Sequence, residues 1–178
     1  MEQLANTEKD KKTKAEALKF LATTADKKYL PLYEKNINDS SYSVSAAALE
    51  GIAELDGSRG VTLAKKLSTD AKGALGGVIS DVLISKSTEA DFDYVAKMYS
   101  EAPLSQEKIE MTGSFCSYLG KVTDLAKIKK GIDIVIEFRN QIPEQYRSFT
   151  DAPIKAGIDK VAKIKGTEIE EYIKKEWK

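Results

Sequence analysis

Few side chains in this sequence could do chemistry, and the absences are as informative as the residues present. Histidine is missing from all 178 residues, which removes the commonest general base at neutral pH and the commonest zinc ligand together. Cys116 is the only cysteine. With no histidine to take its proton, it reads as a small buried side chain beside Phe115 rather than a nucleophile, and it can form no intrachain disulfide. The acids that neighbour one another in sequence are Asp91 with Asp93, Asp133 with Glu137, and Glu168 with Glu170 and Glu171. They lack the loop spacing of a calcium site and sit among lysines, as solvated helix faces do. Gly73-Ala-Leu-Gly76-Gly77 has the glycines of a phosphate cradle but no preceding strand and no following Lys-Ser/Thr pair, so close packing at a helix start is the better reading. Only Arg59, Arg139 and Arg147 could offer a planar bidentate fork to a carboxylate. Arg139 and Arg147 flank a proline-containing loop where such a fork could be displayed toward a cleft, and a helix-terminal salt bridge is the plainer role for each.

The elements that must position these residues are helices. In Asp39-Ser-Ser-Tyr-Ser-Val-Ser-Ala-Ala-Ala-Leu-Glu-Gly-Ile-Ala-Glu-Leu-Asp56, a turn of about 100° per residue puts Val44, Ala47, Ala48, Gly51, Ile52 and Leu55 on one stripe, with Glu50 and Glu54 opposite. The stripe is small as well as apolar, which lets a neighbouring helix approach closely and suits helix pairs stacked in layers. Moved by 31 positions it returns as Leu75, Val78, Ile79, Val82 and Leu83, with Asp39 landing on Asp70. A further 36 brings Met111, Ser114, Phe115, Tyr118 and Leu119. Repeat units are expected at about residues 29–56, 58–86, 88–120 and 123–166, between capping helices at 7–25 and 167–178. Thr7, Ser105 and Thr123 read as N-caps, Thr88 and Thr167 as the starts of capping boxes, and Thr150 or Asp151 with Pro153 as the start of a helix carrying Ile154, Gly157, Ile158, Val161 and Ala162. No β pattern of useful length occurs. The expected fold is all-α: an α-α superhelix of about ten helices, a HEAT/ARM-like solenoid of antiparallel pairs, as a single domain over residues 1–178.

Composition agrees with a folded chain. Hydrophobic residues make up 42% and charged residues 31%, and a chain of this length buries roughly 70% of its unfolded surface without staples. Basic and acidic residues balance at 28 each, so no overall field draws a nucleic acid, and none is expected as a partner. No apolar run approaches the roughly 20 residues that span a bilayer, and Met1 leads into a lysine-rich run rather than a signal peptide. Neither a membrane nor a particular compartment is indicated.

The segment 30–55, and within it Asp39-x-Ser41-Tyr42-x-Val44-x-x-Ala47-Ala48-Leu49, resembles the C-terminal HEAT-like helical domain of zinc-dependent aminopeptidases of the aminopeptidase N family, bacterial members in particular. Ile142-Pro-Glu-Gln-Tyr-Arg147 with Asp151-x-Pro153-Ile154 has the same look, and the similarity runs over roughly residues 15–166. That family's zinc motif, His-Glu-x-x-His, and its Gly-x-Met-Glu-Asn loop are both missing here. The resemblance therefore implies a non-catalytic portion that packs on the catalytic domain of a parent enzyme and limits substrate access. Zinc would sit in that catalytic domain, with no cofactor in this chain. It also implies peptide substrate as a partner, with Arg139 or Arg147 toward its far end. The alternative is a freestanding HEAT-like scaffold for protein–protein interaction.

Overall fold

A computed structural model describes residues 1–69 and 72–177 and is all-α, with no strand among the described residues. Helix contacts group the chain into two compact units, Met1–Ser87 and Thr88–Lys178.

In the first unit, α1 (Glu2–Thr7) and α2 (Lys11–Ala22) precede a single 3-10 turn, Lys27–Tyr29, that runs into α3 (Leu30–Asn36). Then come α4 (Tyr42–Leu55), α5 (Gly57–Leu67) and α6 (Ala74–Lys86). α4 is the hub. It packs against α2, α3, α5 and α6, and the reason is in its composition: Ala46, Leu49 and Ala53 are buried along with Val44, Ala47, Ala48, Gly51 and Ile52. The expectation of a single apolar stripe is corrected here, because a helix apolar nearly all round is surrounded rather than laid on a surface. Asp39 accepts from the Ser41 backbone N–H at 2.9 Å and from the Lys11 ammonium at 2.7 Å, so it shapes the turn into α4 and ties it to α2. The returning stripe in α6 is buried at Leu75, Ile79, Val82 and Leu83 and half-buried at Val78. Asp70, the counterpart of Asp39, lies outside the described residues.

Two details of this unit differ from expectation. The 7–25 segment starts later: Thr7 ends α1, and Asp10 caps α2 by accepting from the Thr13 backbone N–H at 2.8 Å. Between the helices, the Glu8 carboxylate accepts from the Lys9 and Asp10 backbone N–H groups, and this is the bend that separates α1 from α2. At Gly76 and Gly77 an added Cβ would meet nothing within 4 Å, so these glycines do not serve close helix packing. Gly73, at φ +54°, is the one in that run whose backbone calls for glycine.

The second unit opens with a 3-10 turn, Glu89–Asp91, under a capping box between Thr88 and Asp91. It continues as α7 (Phe92–Glu101), α8 (Gln106–Leu119), α9 (Leu125–Gln141), α10 (Glu144–Lys165) and α11 (Thr167–Glu176). α8 packs on α10, while α7 and α11 pack on α9, so each helix of a pair lies beside its counterpart in the next. Within each unit this is the stacking of an α-α superhelix. Eleven α-helices are described where about ten were expected. The core centres on Tyr99 and Phe115, stacked with centroids 4.4 Å apart, with Phe138 edge-on to Tyr99 at 6.2 Å. The Tyr99 and Thr112 hydroxyls share a 2.6 Å hydrogen bond, and the Tyr118 hydroxyl donates to the Thr88 carbonyl at 2.8 Å.

The caps of this unit also shift. Ser105 does cap α8. α9 is capped by Asp124, because the Thr123 side chain is instead bound to the Glu89 carboxylate. Thr167 makes no capping box: Gly166, at φ +89°, turns the chain between α10 and α11, and Thr167 is already helical. The largest correction concerns α10, which begins at Glu144 and carries Pro153 in its interior. An interior proline costs about 3 kcal/mol through a lost hydrogen bond and a clash with the preceding turn. That turn is held from outside by the Arg139–Asp151 ion pair.

Candidate functional site

The second unit carries an open apolar groove of about 540 Å³ where the first turns of α8 and α10 come together. Two sequence features build it. Ser105 caps α8 by accepting from the Lys108 backbone N–H at 3.3 Å, which sets Gln106 and Ile109 along one wall. Pro143 breaks the chain after Ile142 and starts α10, whose period puts Tyr146, Phe149 and Thr150 along the other. Ile142 is buried at the base, while Leu104 and Tyr146 are each 53% exposed and Phe149 is 80% exposed. Large apolar side chains left together in water are the informative kind of exposure.

Two cations brace the walls through backbone carbonyls. Lys108, only 3% exposed, donates to the Ser100 and Ala102 carbonyls at 3.0 and 2.7 Å, at the end of α7. Its ammonium also lies 5.0 Å from the Phe138 ring centroid. Burial pulls the Lys108 pKa below the usual lysine value, while the two carbonyls and the ring favour the charged form. Arg147 donates from Nε to the Ile142 carbonyl and from Nη2 to the Asn140 carbonyl, both at 3.0 Å, closing the end of α9.

Arg139 lies within α9 rather than on a loop, and its side chain is 13% exposed. It grips Asp151 through two bonds, Nε to Oδ1 at 3.0 Å and Nη2 to Oδ2 at 2.8 Å, and its guanidinium lies 5.0 Å from the Trp177 ring centroid. Arg139 and Arg147, the two proposed substrate contacts, are therefore joined to the fold at these positions. Arg59 is likewise paired, with Glu34.

Elsewhere the candidate groups are dispersed. The Cys116 thiol is buried and pushed up to about 12 by that burial, which suppresses the thiolate a nucleophile needs. Asp93 pairs with Lys130, Asp133 accepts from the Tyr172 hydroxyl at 2.6 Å, and Glu168 and Glu170 pair with Lys129 and Lys174. A smaller cleft in the first unit, about 360 Å³, is lined by Lys19, Glu50, Glu54, Asp81 and Lys86 among others. Glu54 and Lys86 are paired there at 2.9 Å, and burial raises the Glu50 pKa above the usual carboxylate value. Among the described residues no three Cys, Asp or Glu side chains gather as metal ligands.

No family model, curated protein or solved structure matches the chain.

The apolar stripes read from the sequence do not include Leu104, Tyr146 or Phe149, and the surface these three form was missed. The usable signal was Pro143-Glu144, a proline followed by a first-turn acid, which starts a helix and sets Tyr146 and Phe149 one turn apart.

Arg139→Met is expected to cost about 1 to 2 kcal/mol at neutral pH in urea denaturation, between a surface pair and a buried one. The guanidinium bonded to Asp151 holds that carboxyl below the usual carboxylate range. A depressed folded pKa contributes stability that is present above the unfolded value, about 3.9, and is lost as pH falls through the folded value. The difference between wild type and variant should therefore shrink as Asp151 protonates. A variant as stable as wild type at neutral pH would instead describe an arginine free to hold a ligand.

Proposed function

We propose that this chain is a non-catalytic helical module that acts by docking on another polypeptide through the groove of its second unit. The observation that supports this most is the joint exposure of Leu104, Tyr146 and Phe149 above a buried apolar base, since soluble domains rarely leave such a patch without a partner. The groups best suited to chemistry are committed to the fold: Arg139 to Asp151, Arg147 to backbone carbonyls, and Cys116 to the interior.

Following the resemblance of residues 30–55, the first partner to test is the catalytic domain of a zinc aminopeptidase. The chain would pack on that domain and limit the access of peptides to its zinc site. A freestanding interaction scaffold is the second reading. It is favoured by a groove whose lining residues all come from one unit.

Titrating the chain with a purified bacterial aminopeptidase N catalytic domain separates the two. Binding that Phe149→Ser weakens by about tenfold or more, the size of a lost apolar anchor, is the result expected of an accessory domain. Absence of binding removes the aminopeptidase form and leaves the scaffold. Polypeptide binding that ignores Phe149→Ser removes the docking reading altogether. Hydrolysis of an aminoacyl anilide by the chain alone should stay at background, and chelator-sensitive turnover would overturn the non-catalytic reading.

A further inference from the structure

The cleft of the first unit lies where α4 packs on α6. Its apolar wall comes from Ala53 of α4 and from Val78 and Val82 of α6, and its acids come from both helices, Glu50 and Glu54 from α4 and Asp81 from α6. The cations that reach it are already engaged: Lys86 holds Glu54 at 2.9 Å, and Lys19 of α2 holds Glu16 of its own helix at 3.1 Å. Among the described residues neither the Glu50 nor the Asp81 carboxylate accepts a hydrogen bond or joins an ion pair. Glu50 is half-buried, and burying a carboxylate without a partner costs free energy that a neutral carboxyl does not. We propose that these two acids form a pH-sensitive latch: charged, they weaken the packing of α4 on α6 at neutral pH, and proton uptake on mild acidification strengthens that packing.

The surroundings set the direction. Burial raises Glu50 above the usual carboxylate value; Lys19 opposes the rise, and Glu54, Asp81 and Glu16 add to it. Burial raises Asp81 likewise, and because Asp81 is the more exposed of the two, Glu50 carries the larger share. From α3 comes the Tyr33 hydroxyl, which is buried without a hydrogen-bond partner and leaves the Glu50 charge unanswered. α5 packs on both helices but lines none of the cleft, and its Arg59 is paired with Glu34. Between the unfolded and the raised folded value, the folded chain holds the extra proton. The stability this contributes is present in full below the unfolded values, about 3.9 for aspartate and 4.3 for glutamate, and is lost as pH rises through the folded ones. The depressed carboxylates of the same unit, Asp10, Asp26, Asp39 and Asp56, act with the opposite sign, and only as pH falls through values below about 3.9. With no histidine in the chain, no unperturbed side chain changes charge between about pH 5 and 7. That window belongs to Glu50 and Asp81, the only carboxylates raised toward it among the described residues.

The test is independent of the groove, whose residues lie in the second unit. Hydrogen exchange of the full chain, corrected for the intrinsic pH dependence of amides, compares α4 and α6 with α8 and α9 as an internal reference. Protection of α4 and α6 should rise by about threefold or more from pH 7 to pH 5, with α8 and α9 changing less. The Glu50→Gln, Asp81→Asn variant should already show at pH 7 the protection that wild type reaches at pH 5. Lys19→Met, at an exposed position, removes the cation that favours charged Glu50 and should enlarge the response. Equal wild-type protection of α4 and α6 at the two pH values overturns the latch, and that result needs no variant to fold. A response shared equally by α8 and α9, or retained in the double variant, overturns its assignment to Glu50 and Asp81. A response that Lys19→Met leaves unchanged overturns the electrostatic cause.

Discussion

Phe115→Ala should destabilise the second unit by about 3 to 5 kcal/mol, the range for emptying a buried aromatic site. The ring is fully buried, stacked on Tyr99 at 4.4 Å and near Tyr118 at 6.3 Å. Its removal forfeits the transfer free energy of the side chain and leaves a cavity whose walls are themselves constrained. Tyr99 is held by its hydrogen bond to Thr112 and Tyr118 by its bond to the Thr88 carbonyl, so neither ring can swing in freely. Urea denaturation followed by near-ultraviolet circular dichroism reads the loss in the unit that holds these aromatics. Phe149→Ala is the matched control: the same atoms removed from an 80% exposed site should shift stability by no more than about 0.5 kcal/mol. If the two substitutions cost the same, the division between core and docking surface within α8 and α10 is wrong.

That contrast also marks what could be read ahead of the structure. The helix pairs were legible because their apolar spacing repeats and because Asp, Ser and Gly punctuate them. The buried face of α6 is largely what the 31-residue shift selects, whereas in α8 the 36-residue shift finds the buried Phe115, Tyr118 and Leu119 but also takes the exposed Ser114 and half-buried Met111 and passes over Lys108, Thr112 and Cys116. The groove was hidden because Phe115 and Phe149 obey the same helical spacing, and period alone says which face a residue is on but not whether another helix covers it. Pro153 hid it further. A proline normally begins or ends a helix, and reading Pro153 with Thr150 or Asp151 as a start leaves residues 144–149 in no helix, so Tyr146 and Phe149 have no surface to belong to. The external grip of Arg139 on Asp151 lets the helix continue through it, and a contact across 12 positions leaves no periodic trace in the sequence. The same contact gives Arg139 the plainer of its two expected roles, a salt bridge in the last turn of α9, with its partner Asp151 one helix over.

Small residues at helix crossings give the second large effect, and magnitude decides its sign. A glycine inside a helix costs about 1 kcal/mol relative to alanine and somewhat less relative to valine, so propensity alone favours replacing it. Gly60 in α5 should resist. A Cβ there would lie 2.5 Å from the Ala53 Cβ and 2.7 Å from the Ala53 Cα of α4. The second of these is backbone, which cannot rotate away, so the two helices must separate. Gly60→Val is therefore expected to cost about 3 kcal/mol, at the upper end of overpacking, with the propensity gain overwhelmed. At Gly113, in the interior of α8, an added Cβ meets nothing within 4 Å. Gly113→Val should fall within about 0.5 kcal/mol of wild type. Adding Ala53→Gly to Gly60→Val removes one of the two clashes and should restore about 1 kcal/mol, the non-additivity expected of residues in contact. Thermal melts of the four proteins test this directly. Equal effects at Gly60 and Gly113 would mean that α4 and α5 are not in backbone contact, and α4 would lose its place at the centre of the first unit.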